Sequence, residues 1–448
     1  MPSTGTARHL LTELYWAAVR AAAPGPALRA GLVRHAPHPD RPVHLLALGK
    51  AALPMAQAAV AHLASLGLAP AGGLLVLPEP GPSPHPLLEV AVGDHPEPGP
   101  GSLAAAAALG RAVAAVGPEA EAWVLLSGGT TSLIGAPVAG LQSPDLTALY
   151  RLLLGSGLDI TAMNRIRKRF TRWSAGRLTT ALYPAHVKSF TISDVIGDDL
   201  GSIGSGPCVP DGSNAEEVRT ALTSTGLWER LPAALKTHLE QVMAGALPET
   251  PKANDPAFTK TTIHLVASNR LALEAAAARA RELGLTAEIL DAALAGEAAQ
   301  AGRHLAARLR DYDATQNAGA QDSQLNKDTI CIWGGETTVT LPPDAGPGGR
   351  SQELALAAAE VFADAAPGPE LCLLAAGTDG RDGPTDAAGG FADRATWGAI
   401  RAAGRDPRRD LATHNAFDAL EAGGALFRTG MTGTNVMDLV LGYRARDG

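Results

Sequence analysis

The sequence predicts an α/β protein of two consecutive domains, the first built on a largely parallel sheet covered by helices on both faces. Three observations predict it. Short apolar runs alternate with longer helical stretches through the first half. The pattern lapses over 231–260, where Pro248, Pro251 and Pro256 follow Gly245. Alternation then resumes and continues to the C-terminus. The boundary is placed after Gly245, giving domains 1–245 and 246–448.

Residues 1–20 carry Leu10, Leu11, Leu14, Tyr15, Trp16 and Val19 around Glu13 and Arg20, the spacing of an amphipathic helix rather than a signal peptide. The run VHLLAL (43–48) reads as a buried strand that ends at Gly49-Lys50, and a helix follows to about 66 with Pro54 tolerated in its first turn. Strands at 74–77 and 88–92 precede an Ala-rich helix that Ser102 is expected to cap. A strand at 123–126 runs into Ser127-Gly128-Gly129-Thr130-Thr131-Ser132. Helical patterning covers 143–182 with a break near 155–159, and a strand at 187–192 enters the Gly-rich loop 194–210. In the second half, strands at 263–266 and 286–290 flank a helix capped by Ser268 or Asn269, and a further helix runs to about 310. The polar segment 311–328 reads as a surface insertion. Strands at 329–333, 336–341, 371–375 and 436–441 complete the set.

Composition removes several classes. Of 448 residues, 46% are hydrophobic and 18% charged, ample for buried cores, and Gly (50) with Pro (33) stays below the share that marks low-complexity chains. A net charge of −8 implies no general affinity for nucleic acid. Cys208, Cys331 and Cys372 lie too far apart for a disulfide framework or paired metal ligands, which fits a reducing cytoplasm. No apolar run reaches the roughly 18 residues of a membrane span.

The common nucleotide and hydrolase fingerprints are missing. A Walker A loop at Gly49-Lys50 would need Gly where His44 stands and a hydroxyl where Ala51 stands. No GxGxxG follows the first strand, and neither GxSxG nor HExxH occurs. Strand-end loops rich in Gly, hydroxyls and charge remain, the place where parallel sheets gather ligands. Lys50 opens a helix, a poor position for a cation unless an anion binds there. SGGTTS offers bare amides for an anion nest. Asp194, Asp198 and Asp199, set among glycines, suit Mg²⁺ held together with phosphate oxygens. Gly334-Gly335-Glu336-Thr337-Thr338 precedes Gly348-Gly349-Arg350, where an Arg at a helix start is more easily explained by a bound anion than by stability. The loop from Gly377-Thr378-Asp379 to Asp386 repeats the pattern, although part of it is turn chemistry. The basic run Asn164-Arg165-Ile166-Arg167-Lys168-Arg169 reads as a solvated or anion-facing helix face rather than a nucleic-acid site. His95 reads first as a turn residue, with acid or base chemistry as its alternative.

Nine stretches together resemble the class II glycerate 2-kinase family, which joins a DUF4147-type domain to a MOFRL domain. They are ALGKAA (47–52), GDHPEP (93–98), LLSGGTTSL (125–133), NRIRKRFTRWSAGRL (164–178), TISDVIGDDLGSIGSGP (191–207), ASNRLALEAA (267–276), WGGETTVTL (333–341), GGRSQELALA (348–357) and AAGTDGRDGPTDAAGG (375–390). The resemblance implies a first domain that is Rossmann-like, a three-layer α/β/α sandwich without GxGxxG, and a second α/β domain with a mixed sheet, around an active cleft. It implies transfer of the γ-phosphoryl group of ATP, with Mg²⁺, to the 2-hydroxyl of D-glycerate. Lys50 and Arg350 would be the catalytic cations, and Asp194 the proton acceptor or a metal ligand. Ser127, Gly128, Gly129, Thr130, Asn164 and Arg167 would hold substrate anions. Gly204, Gly206, Gly335, Glu336, Thr378 and Asp379 would line the substrate and nucleotide site, with Asp379 a second metal candidate. SGGTTS departs from the family's SGGGSA, which bears on substrate fit. A hydroxypyruvate reductase, a label some family members carry, and a non-catalytic anion-binding protein are the alternatives. Monomer and homodimer both stay open.

Overall fold

A computed structural model describes residues 4–158, 160–312 and 327–446. They form two compact units, one of residues 24–266 and one that joins the N-terminal segment to 267 onward.

The unit 24–266 holds a six-stranded sheet of β1 (Val43–Leu48), β2 (Gly72–Leu77), β3 (Leu88–Val92), β4 (Glu121–Leu126), β5 (His186–Ile192) and β6 (Thr261–Ala267), in the order β3-β2-β1-β4-β5-β6. The pairings β3/β2, β2/β1, β1/β4 and β4/β5 are parallel. This is the doubly wound Rossmann order, and its direction reverses between β1 and β4. β4 is buried throughout and β1 nearly so, which is why 45–48 and 122–126 read as apolar runs. The helix Ala52–Ser65 packs on β1 and β2, and Pro100–Ala114 packs on β2 and β3. The helices Ser143–Leu154, Ile160–Phe170, Ala215–Ser224 and Ala233–Met243 enclose a separate apolar cluster that includes Leu149, Phe170, Val218, Leu222, Leu235 and Leu239.

The other unit holds a mixed sheet of β7 (Thr286–Leu294), β8 (Thr329–Gly335), β9 (Leu371–Gly377), β10 (Gly389–Asp393), β11 (Leu426–Phe427) and β12 (Asp438–Arg444), in the order β11-β10-β9-β12-β8-β7. Only β7/β8 is parallel; the other pairings are antiparallel. Its central helix, Arg350–Ala363, is buried from Ser351 to Ala359 and packs on β9, β10 and the helix Ala298–Arg310. The N-terminal helix Thr4–Ala21 lies on the helix Asn269–Glu282 and on β9. The Tyr15 hydroxyl donates to Gly377 O at 2.8 Å, and Glu13 pairs with Arg279 at 2.6 Å.

Several expectations change. The division falls at 266/267 rather than 245/246, because β6 completes the edge of the first sheet, and the first 23 residues join the second unit. The aperiodic stretch 231–260 contains the helix Ala233–Met243, which buries Leu235 and Leu239. Ser102 is not an N-cap: Gly99 is, and the Ser102 hydroxyl accepts the amides of Gly99 and Asp94 within the first turn. Ser268 caps its helix as expected, accepting Leu271 N at 3.3 Å. No strand spans 336–341; the chain there makes a single bridge, Thr338 to Glu297. Most of the segment 311–328 lies outside the described residues. Among the described residues no helix is long and apolar enough to cross a membrane.

Candidate functional site

The reversal between β1 and β4 brings two turns together at the carboxyl ends of those strands. Lys50 N donates to Gly128 O at 2.9 Å, Ala51 N to Ser127 Oγ at 3.0 Å, and the Thr130 hydroxyl to Leu48 O and Ser127 O at 2.9 and 2.8 Å. The Ser127 and Thr130 hydroxyls, expected to hold substrate anions, therefore tie the turns to each other. What they leave toward solvent is the Gly128-Gly129 backbone and the exposed Lys50 side chain.

Both glycines are required by their neighbours. A Cβ on Gly128 would overlap the Asp194 carboxylate, which reaches the turn from the end of β5. Gly129 has φ +85°, and a Cβ there would come within 3.1 Å of the His95 ring and 3.2 Å of Lys50 Cγ. Lys50, His95 and Asp194 thus surround one bare dipeptide. Burial raises the Asp194 pKa, against the opposing pull of its own amide and of Lys50. Burial and the Lys50 charge lower that of His95, favouring a neutral imidazole. The sequence reading of His95 as a turn residue gave it no neighbour among the candidate site residues. No spacing rule joins it to Gly129; only the fold does.

The loop 201–206 rests on the same turn. Gly204 and Gly206 have positive φ, and between them Ser205 is held at φ +63° with its hydroxyl 2.9 Å from that of Thr131. Asp199 is spent within its own loop, accepting Gly201 N and the Ser202 hydroxyl. The basic helix is only in part a solvated face: Arg165 is exposed, while Arg167 and Lys168 are half-buried and Arg169 is buried. Arg167 donates to Asn164 Oδ1 and lies 5.1 Å over the Tyr150 ring. Lys168 and Arg169 pair with the buried Asp211 at 2.8 and 3.3 Å, and Arg169 also pairs with Glu249. Arg177 donates to the carbonyls of Lys168, Arg169 and Thr171 at the helix end.

In the second unit Arg350 is held by carboxylates. Its Nε and Nη2 donate to Asp438 at 2.5 and 3.1 Å, and Nη1 lies 2.6 Å from Glu336. Burial opposes its charge, but Asp438 and Glu336 outweigh burial and raise its pKa. Asp382 caps the same helix, accepting Ser351 N and Gln352 N at 3.2 and 2.8 Å, and burial pushes its pKa up to about 7. The argument that a cation at this helix start calls for a bound anion is therefore corrected: two carboxylates supply its countercharge, and a third caps the helix. Gly335 ends β8 and leads into Glu336. The Thr378 hydroxyl is a buried latch, donating to Met437 O and accepting Val436 N. Asp379 accepts Arg381 N in its own turn, and its charge reaches Asp438.

The sequence profile of the domain of unknown function DUF4147 matches residues 10–240, and that of the MOFRL family matches 329–438. The glycerate 2-kinase of Pyrococcus horikoshii is 36% identical over 321 residues, covering 71% of this chain and 69% of that protein. The chain belongs to the DUF4147–MOFRL glycerate 2-kinase family. A putative hydroxypyruvate reductase of Agrobacterium vitis is likewise 36% identical, over 329 residues, covering 73% of this chain and 80% of that protein. The crystal structure of a glycerate kinase from Thermotoga maritima superposes with a TM-score of 0.86 at 32% identity, covering 98% of this chain and 100% of that one. In this glycerate 2-kinase family member no cluster of three or more His, Cys, Asp or Glu able to hold a metal ion occurs among the described residues. Mg²⁺ at phosphoryl-transfer sites needs only one or two protein oxygens beside phosphate oxygens and water, and the half-buried Asp379 carboxylate would offer one.

Proposed function

We propose that the protein is an ATP-dependent glycerate 2-kinase, converting D-glycerate and ATP to 2-phosphoglycerate and ADP. Beyond family membership, the observation that carries the reading is the meeting of an exposed lysine, a raised aspartate and a bare Gly-Gly backbone at the reversal of a doubly wound sheet. Phosphoryl transfer asks a protein chiefly for alignment and charge neutralisation. Lys50 neutralises charge on the transferring group. The Gly128 and Gly129 backbone lets an anion approach without side-chain interference. Asp194, with its raised pKa, accepts the proton of the 2-hydroxyl. Arg350, oriented by Asp438 and Glu336, is the second catalytic cation of the proposal. Mg²⁺, when bound, neutralises phosphate oxygens, and Asp379 is the carboxylate offered to it. The three cysteines are free and buried, which supports a reducing cytoplasm as the working compartment.

The test is NMR of the product formed from D-glycerate and Mg-ATP. Phosphorus coupled to C2 is expected; 3-phosphoglycerate overturns the regiochemistry. NADH oxidation with hydroxypyruvate in the absence of ATP would establish the reductase reading instead. The turn after β1, which carries Lys50 and lacks GxGxxG, favours the kinase.

A further inference from the structure

We propose that the cavity beside Arg350, in the unit that contains β7 to β12, receives the adenine ring of the nucleotide. The inference rests on the kinase reading for the identity of the donor and adds to it a subsite for the base.

The cavity measures about 380 Å³, and its lining includes Val339, Leu341, Pro384, the pair Glu353–His414, and Arg350. That volume lies within the roughly 300–1,000 Å³ of small-molecule sites, which are mostly apolar with a few placed polar groups. Leu341 is 62% exposed, an apolar side chain left uncovered at the wall. The polar groups are also placed. His414 Nδ1 lies 2.9 Å from Glu353 Oε2, and Glu353 is buried. In the tautomer whose Nδ1–H donates to Glu353, Nε2 offers a lone pair to an incoming donor. His414 holds this position at φ +53°, in the left-handed region that non-glycine residues rarely adopt.

Charge chooses the ligand. Of the three carboxylates that line the cavity, Glu336 is matched to Arg350, Asp382 caps the helix with its pKa pushed up to about 7, and Glu353 faces His414, while the one guanidinium is already held by Asp438 and Glu336. A carboxylate such as glycerate, or the phosphate chain itself, would find no unmatched cation in the interior. A neutral flat ring with an amino donor is suited to it. The faces of the ring meet Leu341, Val339 and Pro384, and the amino group donates to His414 Nε2. Arg350, in the same lining, is the group toward which the ribose and phosphates leave.

The experiment uses the full chain with Leu341→Asp, an exposed position where folding is not at stake, and His414→Phe, which keeps a ring and loses the acceptor. KM is measured for ATP and for D-glycerate separately, and the Kd of Mg-ADP by titration calorimetry. Each variant is expected to raise KM for ATP and Kd for ADP about ten-fold, equivalent to about 1.4 kcal/mol, and to leave KM for D-glycerate within about two-fold. A rise confined to D-glycerate, or no rise in either, overturns the proposal. If the unmodified protein makes no 2-phosphoglycerate, the kinase reading fails by itself. The ADP titration still decides the cavity, since an unchanged Kd in Leu341→Asp removes the base from it.

Discussion

Asp211→Ala tests whether the basic run 164–169 is structural. The Asp211 side chain is 0% exposed, and it lies 2.8 Å from Lys168 and 3.3 Å from Arg169, the latter 3% exposed. It also accepts Ser213 N at 3.0 Å, the Ser213 hydroxyl at 2.9 Å and the Thr250 hydroxyl at 2.9 Å. Removing it leaves Arg169 with Glu249 alone as countercharge. Breaking a buried pair in this way costs about 3–5 kcal/mol, and a domain of this size loses about 2–4 °C of Tm per kcal/mol. The transition of this unit should fall by on the order of 10 °C in calorimetry at pH 7. The pH dependence carries its own sign. Burial alone would raise the Asp211 pKa, but the Lys168 ammonium and the Ser213 donors outweigh burial and hold it below the ordinary carboxylate range. Its contribution is therefore complete above the unfolded value of about 3.9 and is lost as pH falls through the lower folded value. The gap between variant and parent should be full at pH 7 and close only in strong acid. A loss under about 1 kcal/mol at pH 7, the scale of an exposed ion pair, would refute the reasoning and return these cations to the solvent or to a ligand.

Two further outcomes follow from the site. Lys50→Ala should lower kcat by roughly 10³–10⁵-fold, the scale of a lost transition-state cation, with an unchanged melting curve because the side chain is exposed; near-normal turnover would remove Lys50 from the chemistry. The acid limb of the kcat–pH profile should lie above the ordinary aspartate range, because burial raises Asp194 and the rate falls as pH drops through that value. Asp194→Asn should abolish the limb, and a limb that survives it belongs to another base.

The parallel sheet was legible because β1 is apolar over 45–48 and β4 over 122–126, and because both end in glycine-containing turns. Those turns are where the sequence reading placed candidate site residues. The internal wiring of the site was not legible. The countercharge of Arg350 sits 88 positions away at Asp438, and no local pattern announces the pair. The sequence reading placed no element at the helix Ala215–Ser224, although an Asn214 cap reciprocated by Glu217 and Val218 four residues before Leu222 signal it. The opposite error arose at 336–341. Thr-Thr-Val-Thr-Leu has strand-forming composition, yet Gly335 at φ +140° turns the chain so that Glu336 N and Thr338 N donate to Leu294 O and Gly296 O. β10, with the sequence GGFAD, forms because β9 and β11 flank it, against the composition of its own residues.

The placement of the first helix has a consequence for synthesis. Leu11, Leu14, Tyr15 and Ala18 leave the ribosome ahead of the surfaces that cover them, on the helix Asn269–Glu282 and on β9, which are translated more than half of this chain later. The nascent protein carries an uncovered greasy stripe throughout elongation of the unit 24–266, a natural target for holding chaperones. A fusion attached ahead of Thr4 therefore burdens the last part of the protein to mature, and a fragment begun at 267 exposes an empty groove where that helix belongs.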